Sequence, residues 1–200
     1  MSLNVLVIPE DFRKDQYVLA PVIRRVLEEV GKPRARVEVC KDPLLGGIDQ
    51  ALKWERLVEV IDMYPMVQLF LLVVDRDGKE SRRKVLDGIE QKATDKLAKG
   101  RALFGENAWQ EIEVWALAGQ DLPKEWKWQT IRREEHPKEK YFETHAAARG
   151  LTTEPGGGRT TMGREAATNY AKVRSRCKED ITALESRLAD WIVVNSGSGS

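Results

Sequence analysis

The sequence predicts an α/β fold: a parallel, Rossmann-like sheet with helices on both of its faces, followed by a helical extension at the C-terminal end. Two observations carry this prediction. Between residues 4 and 120, short apolar runs that suit buried strands alternate with longer segments of helical periodicity. Beyond residue 120 this alternation gives way to helical segments, so residues 121–194 are predicted to form an extension packed on the α/β domain.

Four strands are predicted from apolar and β-branched residues. Residues 4–9 (NVLVIP) form a short apolar run that is typical of a buried parallel strand. Residues 35–41 (ARVEVCK) alternate between apolar and polar side chains, which predicts a more exposed strand. Residues 67–74 (VQLFLLVV) are the most strand-like run in the chain, and residues 102–109 are predicted as the fourth strand.

Helices are predicted between and after these strands, at residues 16–30, 46–64, 81–97, 111–118, 137–149 and 164–194. Gly31 and Pro33 close the first of them, and Pro65 ends the second, because glycine and proline interrupt helical hydrogen bonding. The last is predicted as one long amphipathic helix that follows a flexible loop at residues 152–163. Residues 195–200 (NSGSGS) are interpreted as an expression linker.

The composition narrows the class of protein. The chain has 200 residues with 33 Lys and Arg against 32 Asp and Glu, so its net charge of +1 favours neither a nucleic acid nor a membrane as partner. No apolar run approaches the roughly 18 residues that span a bilayer, and no secretory signal is visible. The two cysteines are far apart and suit a reducing cytosol, which predicts a cytoplasmic protein. With only two histidines, any metal site would have oxygen ligands.

Acidic residues follow two of the predicted strands. Glu10 comes directly after the first strand, and Asp75 and Asp77 follow the third. Functional groups of parallel α/β sheets lie at the carboxyl ends of the strands, and side chains two residues apart in an extended chain point to the same side. Three such carboxylates make a hard oxygen site that suits Mg²⁺ or Mn²⁺. This chemistry supports phosphoryl transfer or phosphodiester hydrolysis.

These residues resemble the signature of the TOPRIM family, the catalytic domain shared by topoisomerases, primases and nucleases of the overcoming-lysogenization-defect type. The family pattern is a Glu that ends the first strand and a D-x-D that ends the third, here Glu10 and residues 75–78 (DRDG). The sequence is also similar to a group of small stand-alone TOPRIM-like proteins with I-E-x-W and P-K-E motifs, here residues 112–115 (IEVW) and 137–139 (PKE). The resemblance covers about residues 4–142 and implies a TOPRIM-like sheet.

The resemblance implies a magnesium-dependent nuclease that cleaves DNA or RNA. Glu10, Asp75 and Asp77 would hold the metal and carry the catalysis, and Glu113 of the I-E-x-W motif would be a further metal ligand. Proteins of this kind are often paired with an ATPase partner in bacterial anti-phage defence systems, and the resemblance implies such a partner. One residue departs from the family pattern, since Asp11 stands where a Gly usually follows the first Glu.

Three basic residues are candidates for substrate binding. Arg82 and Arg83 follow the D-R-D-G turn and could track a phosphate backbone, although a charged run on a helix is more often a solvated face. Lys138 of the P-K-E motif could bind a phosphate or pair with a carboxylate of the site. The alternative interpretation of Asp75 and Asp77 is a turn whose Asp caps the next helix.

The sequence also allows a second class of function: a catalytically weak or inactive TOPRIM-like sensor or regulatory subunit that binds a protein partner. Asp11 in the Gly position and the nearly neutral net charge favour this alternative. An exposed stretch with Trp126 and Trp128 would provide the contact surface. The long C-terminal helix could dock a partner or a second copy of the chain, which would give a homodimer. A domain that binds a small phosphorylated ligand ranks last, because no Gly-rich turn follows a strand.

Overall fold

The computed structural model describes residues 2–196, apart from the side chain of Ser196. Most of the linker that was predicted at residues 195–200 therefore lies outside the described residues. Asn195 and Ser196 belong to the last helix of the fold, where Asn195 donates a hydrogen bond from Nδ2 to the backbone oxygen of Trp191.

A fully parallel sheet of four strands lies within residues 2–196, in the order β2-β1-β3-β4. The strands are β1 (Asn4–Pro9), β2 (Arg36–Val39), β3 (Leu69–Asp75) and β4 (Ala102–Ala108). β1 lies between β2 and β3, with Val5 opposite Leu69. β3 pairs with β4 along its whole length, from Leu69 opposite Ala102 to Asp75 opposite Ala108. The predicted α/β fold with a parallel sheet is confirmed.

Helices connect the strands and build the extension. They are α1 (Phe12–Glu29), α2 (Ile48–Ala51), α3 (Trp54–Met63), α4 (Arg82–Lys96), α5 (Glu113–Ala118), α6 (Trp128–Arg133), α7 (Glu143–Ala148), α8 (Arg159–Thr168), α9 (Tyr170–Arg176) and α10 (Ala183–Ser196). Two short π-helical turns, Lys138–Phe142 and Lys178–Thr182, precede α7 and α10. None of the helices in the described part of the chain has both the length and the apolarity needed to traverse a bilayer.

Side chains of the central strand β3 alternate between two apolar cores. Leu69, Leu71 and Val73 face the core that contains α1, α5 and helices of the extension. Phe70 and Leu72 face the opposite core, which contains α3 and α4. All of them are fully buried, as expected for a parallel strand that is covered on both faces. The predicted placement of helices on both faces of the sheet is confirmed.

The extension packs closely on α1 and α5. A Cβ atom at Gly163 in α8 would lie 2.4 Å from the backbone oxygen of Tyr17, and one at Gly119 would lie 2.4 Å from Cα of Ala166. Asn169, between α8 and α9, donates from Nδ2 to the backbone oxygen of Gly119. Close backbone contacts therefore fix the extension on the α/β core.

Two helix predictions in the first half need correction. α1 begins at Phe12, earlier than predicted, because the Asp11 side chain accepts a hydrogen bond from the backbone nitrogen of Arg13 at 3.0 Å and caps the helix. The prediction of one helix over residues 46–64 is wrong, since the chain forms two helices there, α2 and α3, with Leu52 and Lys53 between them.

The prediction of one long helix over residues 164–194 is also wrong. α8 begins at Arg159, inside the segment that was predicted as a flexible loop, and the backbone departs from helical geometry at Asn169 and Cys177. The apolar periodicity continues across both breaks because α8, α9 and α10 all bury side chains in the same core. Periodicity alone therefore could not reveal the breaks.

Candidate active site at the carboxyl edge of the sheet

Glu10 and Asp75 lie side by side at the carboxyl edge of the sheet. They follow the ends of two adjacent strands, since β1 pairs with β3 up to Pro9 opposite Val73. The two carboxyl groups are close enough for each to shift the pKa of the other. Asp75 Oδ1 also accepts a hydrogen bond from the backbone nitrogen of Ile112 at 2.8 Å, which fixes its orientation at the start of α5.

The pKa values of Glu10 and Asp75 are both raised, because the fold holds the two carboxyl groups close together and partly removes them from water. Burial raises the pKa of Asp75 well above its usual range, and the charges of Glu10 and Glu113 raise it further. Burial also raises the pKa of Glu10, while the hydrogen bond with Asp75 and the charge of Arg82 oppose the rise. Two carboxyl groups in this arrangement interact strongly and titrate as a coupled pair.

Asp77 belongs to a tight turn and not to the strand. Its φ is 50°, and Gly78 follows with φ of 66°, so the alternation of an extended chain ends before Asp77. The Asp77 carboxylate pairs with Arg82, at 3.5 Å between Oδ2 and Nη2. The expectation that Asp75 and Asp77 point to the same side on the period of a strand is wrong, although the Asp77 charge still acts on Glu10.

The acidic turn is held by Gln110, a residue that the sequence analysis missed. Its backbone oxygen accepts hydrogen bonds from the nitrogens of Arg76 at 2.9 Å and Asp77 at 3.1 Å. Its Oε1 accepts from the nitrogen of Gly78 at 2.8 Å. Gln110 has a φ of 72°, a left-handed conformation that nothing in its sequence neighbourhood signals.

Glu113 of the I-E-x-W motif faces the acidic cluster, where its charge raises the pKa of Asp75. Its carboxylate is already bound by Arg159 at the start of α8, through a hydrogen bond of 2.9 Å from Nε and a second bond from Nη2. The guanidinium of Arg159 also stacks on Phe142, 5.1 Å from the ring centroid. Glu113 is therefore beside the site but engaged by a cation of the extension.

The P-K-E motif contacts the residue before the I-E-x-W motif. The backbone nitrogen of Lys138 donates to Glu111 Oε2 at 2.7 Å, and its Nζ lies 3.8 Å from Glu111 Oε1 and 2.9 Å from Glu139 Oε1. Burial raises the pKa of Glu111 to about 7. Lys138 thus pairs with acidic residues along one wall of the site.

The structure separates the two arginines that were predicted to bind substrate. Arg82 lies at the site beside Asp77. Arg83 instead bonds to the unpaired edge of β4, donating to the backbone oxygen of Gly105 at 2.7 Å and to Glu90 at 2.7 Å. Arg83 therefore caps the edge of the sheet, away from the acidic turn.

Asp11 and Asp15 add two further carboxylates on the first turn of α1. Asp15 Oδ2 accepts a hydrogen bond from the backbone nitrogen of Asp11 at 3.2 Å. Burial, helped by the charges of Glu113 and Glu10, raises the pKa of Asp15 to about 8. Asp15 was not predicted as a site residue. The signal in the sequence is its position four residues after Asp11, which is the N-cap of α1. Asp11 has an extended backbone with φ of −131°, so this position does not require glycine.

The donor set consists of carboxylate oxygens, which is the chemistry that Mg²⁺ prefers. Within residues 2–196, however, no group of three or more His, Cys, Asp or Glu side chains is arranged around one point as metal ligands are. The reason is visible in the contacts, since Asp77 pairs with Arg82 and Glu113 with Arg159. The residues fit a divalent cation by chemistry, and Glu10 and Asp75, unlike Asp77 and Glu113, are not paired with an arginine in the described part of the chain.

Comparison of the chain with known protein families, with curated proteins and with solved structures finds no match in any of the three. The class of protein is therefore defined by fold and site alone: a parallel α/β protein with a group of partly buried carboxylates at the carboxyl edge of its sheet.

Proposed function

We propose that the protein is a magnesium-dependent nuclease of the TOPRIM type, which hydrolyses phosphodiester bonds in DNA or RNA. The observation that carries the proposal is the convergence of Glu10 and Asp75 at the ends of adjacent parallel strands. Their repulsion and raised pKa values are those of a site built to neutralise a cation. The order of Glu10, the D-R-D-G turn, I-E-x-W and P-K-E along the chain supports the same proposal.

In this proposal Glu10 and Asp75 hold the ion, and the negative charge of Asp77 near Glu10 adds to the attraction. The ion, when bound, would supply Lewis-acid stabilisation of the phosphate and a more acidic water. In the same proposal Glu10, at the end of β1 beside Asp75, accepts a proton from the attacking water. Arg159 neutralises Glu113, and the hydrogen bond from Ile112 keeps Asp75 oriented.

The biological setting of the proposal rests on the resemblance. As the effector of a bacterial anti-phage system, the nuclease would work with an ATPase partner in the cytoplasm. Cys40 and Cys177 are both free thiols and both buried, which suits a reducing compartment.

A cleavage assay tests the nuclease. We expect the wild type to cleave plasmid DNA or structured RNA with Mg²⁺ and not with EDTA, and Asp75→Asn to lose at least about a hundredfold in rate. Asparagine keeps the acceptor for Ile112 nitrogen, so the fold persists. Asp87→Asn, an exposed charge change on α4, is the matched control and should cleave normally. Equal cleavage by Asp75→Asn and wild type would contradict the proposal.

The alternative function is an inactive regulatory subunit that binds a protein partner. One observation favours it: Asp77 is paired with Arg82, and Glu113 is paired with Arg159. Trp126 and Trp128, which were predicted to be exposed on its contact surface, are only partly exposed. Trp126 packs edge-to-face on Tyr141 with ring centroids 5.0 Å apart, and Trp128 Nε1 donates to a backbone oxygen at 2.8 Å. A wild type that neither binds a divalent ion nor cleaves would select this alternative.

A further inference from the structure

Arg82, the first residue of α4, is a buried arginine whose hydrogen-bonding capacity is largely unused. Its side chain is 5% exposed. Its Nε is the buried side-chain nitrogen or oxygen that has no hydrogen-bond partner within residues 2–196. The hydrogen bond that the guanidinium does make runs from Nη2 to Asp77 Oδ2 and is long, at 3.5 Å.

Two other arginines with similarly buried side chains make three or more hydrogen bonds each. Arg132, 6% exposed, donates to Asp180 at 3.1 and 3.3 Å and to Glu179 at 2.9 Å. Arg159, 7% exposed, donates to Glu113 and to the backbone oxygen of Gly156. A guanidinium has five N–H donors, and leaving one buried without an acceptor is unfavourable. Arg82 thus differs from these two arginines by having a fully buried donor, Nε, without an acceptor.

The free donor lies at the acidic edge of the sheet. Arg82 pairs with Asp77 on one side, and its charge lowers the pKa of Glu10 on the other. Both of these residues belong to the proposed catalytic group. The guanidinium with the unused donor therefore lies close to two carboxylates of the proposed site.

A phosphate oxyanion is the ligand that matches these donors. Guanidinium groups bind phosphate through two parallel N–H bonds, with the planar geometry that Nε and one Nη atom provide. Another carboxylate would add to a cluster whose members already repel each other. A phosphate that arrives with a divalent cation adds little net charge, because the cation offsets it.

We propose that Arg82 binds a non-bridging oxygen of the phosphate group on which the site acts, through Nε and its neighbouring Nη. The identity of that phosphate as part of a nucleic acid rests on the proposed function, whereas the binding of a phosphate oxyanion does not. Arg82 is then a substrate-binding residue inside the site, and not one of a row of surface cations that track a backbone.

Titration calorimetry with inorganic phosphate, in chloride buffer with and without Mg²⁺, tests the proposal on the full chain. We expect the wild type to bind phosphate, Arg82→Met to bind at least about tenfold more weakly, and Arg82→Lys to lie between them. Lys84→Met, the same charge change at an exposed position of α4, should bind like the wild type. Thermal melting shows whether each variant is folded. If Arg82→Met does not fold, the phosphate affinity of Arg82→Lys relative to the wild type decides the test.

Kinetics separate this inference from the proposed function. If the wild type binds phosphate through Arg82 but cleaves no nucleic acid, the inference stands and the nuclease proposal fails. If cleavage depends on Asp75 while Arg82→Lys and Arg82→Met keep the wild-type KM, kcat and phosphate affinity, the inference is overturned and the nuclease proposal stands. A wild type that binds no phosphate under either condition also overturns it.

Discussion

At the scale of single residues, the site is set by carboxyl groups that the fold brings closer than they would lie in solution. Asp15 shows the effect most clearly. It is held by the backbone nitrogen of Asp11 and lies near Glu10 and Glu113, and its pKa rises from 3.8 to about 8 because it is buried among them. The folded chain therefore binds a proton at Asp15 over a pH range in which the unfolded chain has released it.

Replacement of Asp15 by Asn should make the protein more stable than the wild type in alkaline solution. The raised pKa means that wild-type stability falls as the pH rises from about 4 to about 8, and the neutral amide avoids that loss. At a pH of about 8.5 we expect the free energy of unfolding of Asp15→Asn to exceed that of the wild type by at least about 1.4 kcal/mol. Below a pH of about 4 the free energies of unfolding of the two proteins should change with pH in the same way. Urea unfolding across this range measures the difference, with Asp87→Asn as the exposed control. A difference independent of pH would contradict the assignment.

The sequence identified part of this site. Glu10 and Asp75 could be predicted because each follows an apolar run that only a buried strand explains. Asp15 and Gln110 could not, since their roles depend on how α1 and the chain after β4 meet the acidic turn. The ion pair between Glu113 and Arg159 could not be predicted either, because Arg159 begins a helix within a segment that was predicted to be a loop.

At the scale of elements, α8 decides how the extension meets the site. It carries Arg159 to Glu113 at its first turn, and it approaches α1 at Gly163 more closely than any side chain would allow. A longer separation of the two helices would withdraw the cation from the acidic cluster. The strands were predictable because their apolar runs are continuous, but the breaks that define α8 interrupt no apolar pattern.

Replacement of Gly163 by Ala should destabilise the protein by about 1–3 kcal/mol, since overpacking forces the backbones apart. The added Cβ would lie 2.4 Å from the backbone oxygen of Tyr17 and 3.0 Å from Cα of Val18. Gly88→Ala in α4 is the matched control, because its Cβ would meet nothing within 4 Å and alanine favours a helix. Chemical unfolding of both variants measures the effect. A Gly163→Ala protein as stable as Gly88→Ala would show that α8 is not packed so closely.

At the scale of the whole molecule, a buried charge joins the extension to the sheet. Asp180, in the π-helical turn before α10, is fully buried. It accepts hydrogen bonds from the backbone nitrogen of Trp109 at 2.9 Å and from Trp115 Nε1 at 2.7 Å, and Arg132 of α6 neutralises it. One carboxylate therefore connects the end of β4, α5 and two parts of the extension.

Replacement of Arg132 by Met leaves Asp180 buried without its cation and should reduce the free energy of unfolding by about 3–5 kcal/mol. Arg133→Met removes the same charge from the next, exposed residue and should change stability by less than about 0.5 kcal/mol. Denaturant unfolding compares the two variants. Similar values for both would mean that the extension does not depend on this charge pair.

Titration with Mn²⁺, followed by electron paramagnetic resonance, tests the proposal that the carboxyl groups of Glu10 and Asp75 bind a divalent cation. We expect the wild type to bind the ion near neutral pH, and Glu10→Gln and Asp75→Asn each to weaken binding at least about tenfold. Asp87→Asn should bind like the wild type. The proposal is wrong if the wild type binds no Mn²⁺, or if the Glu10→Gln and Asp75→Asn variants bind it as well as the wild type does.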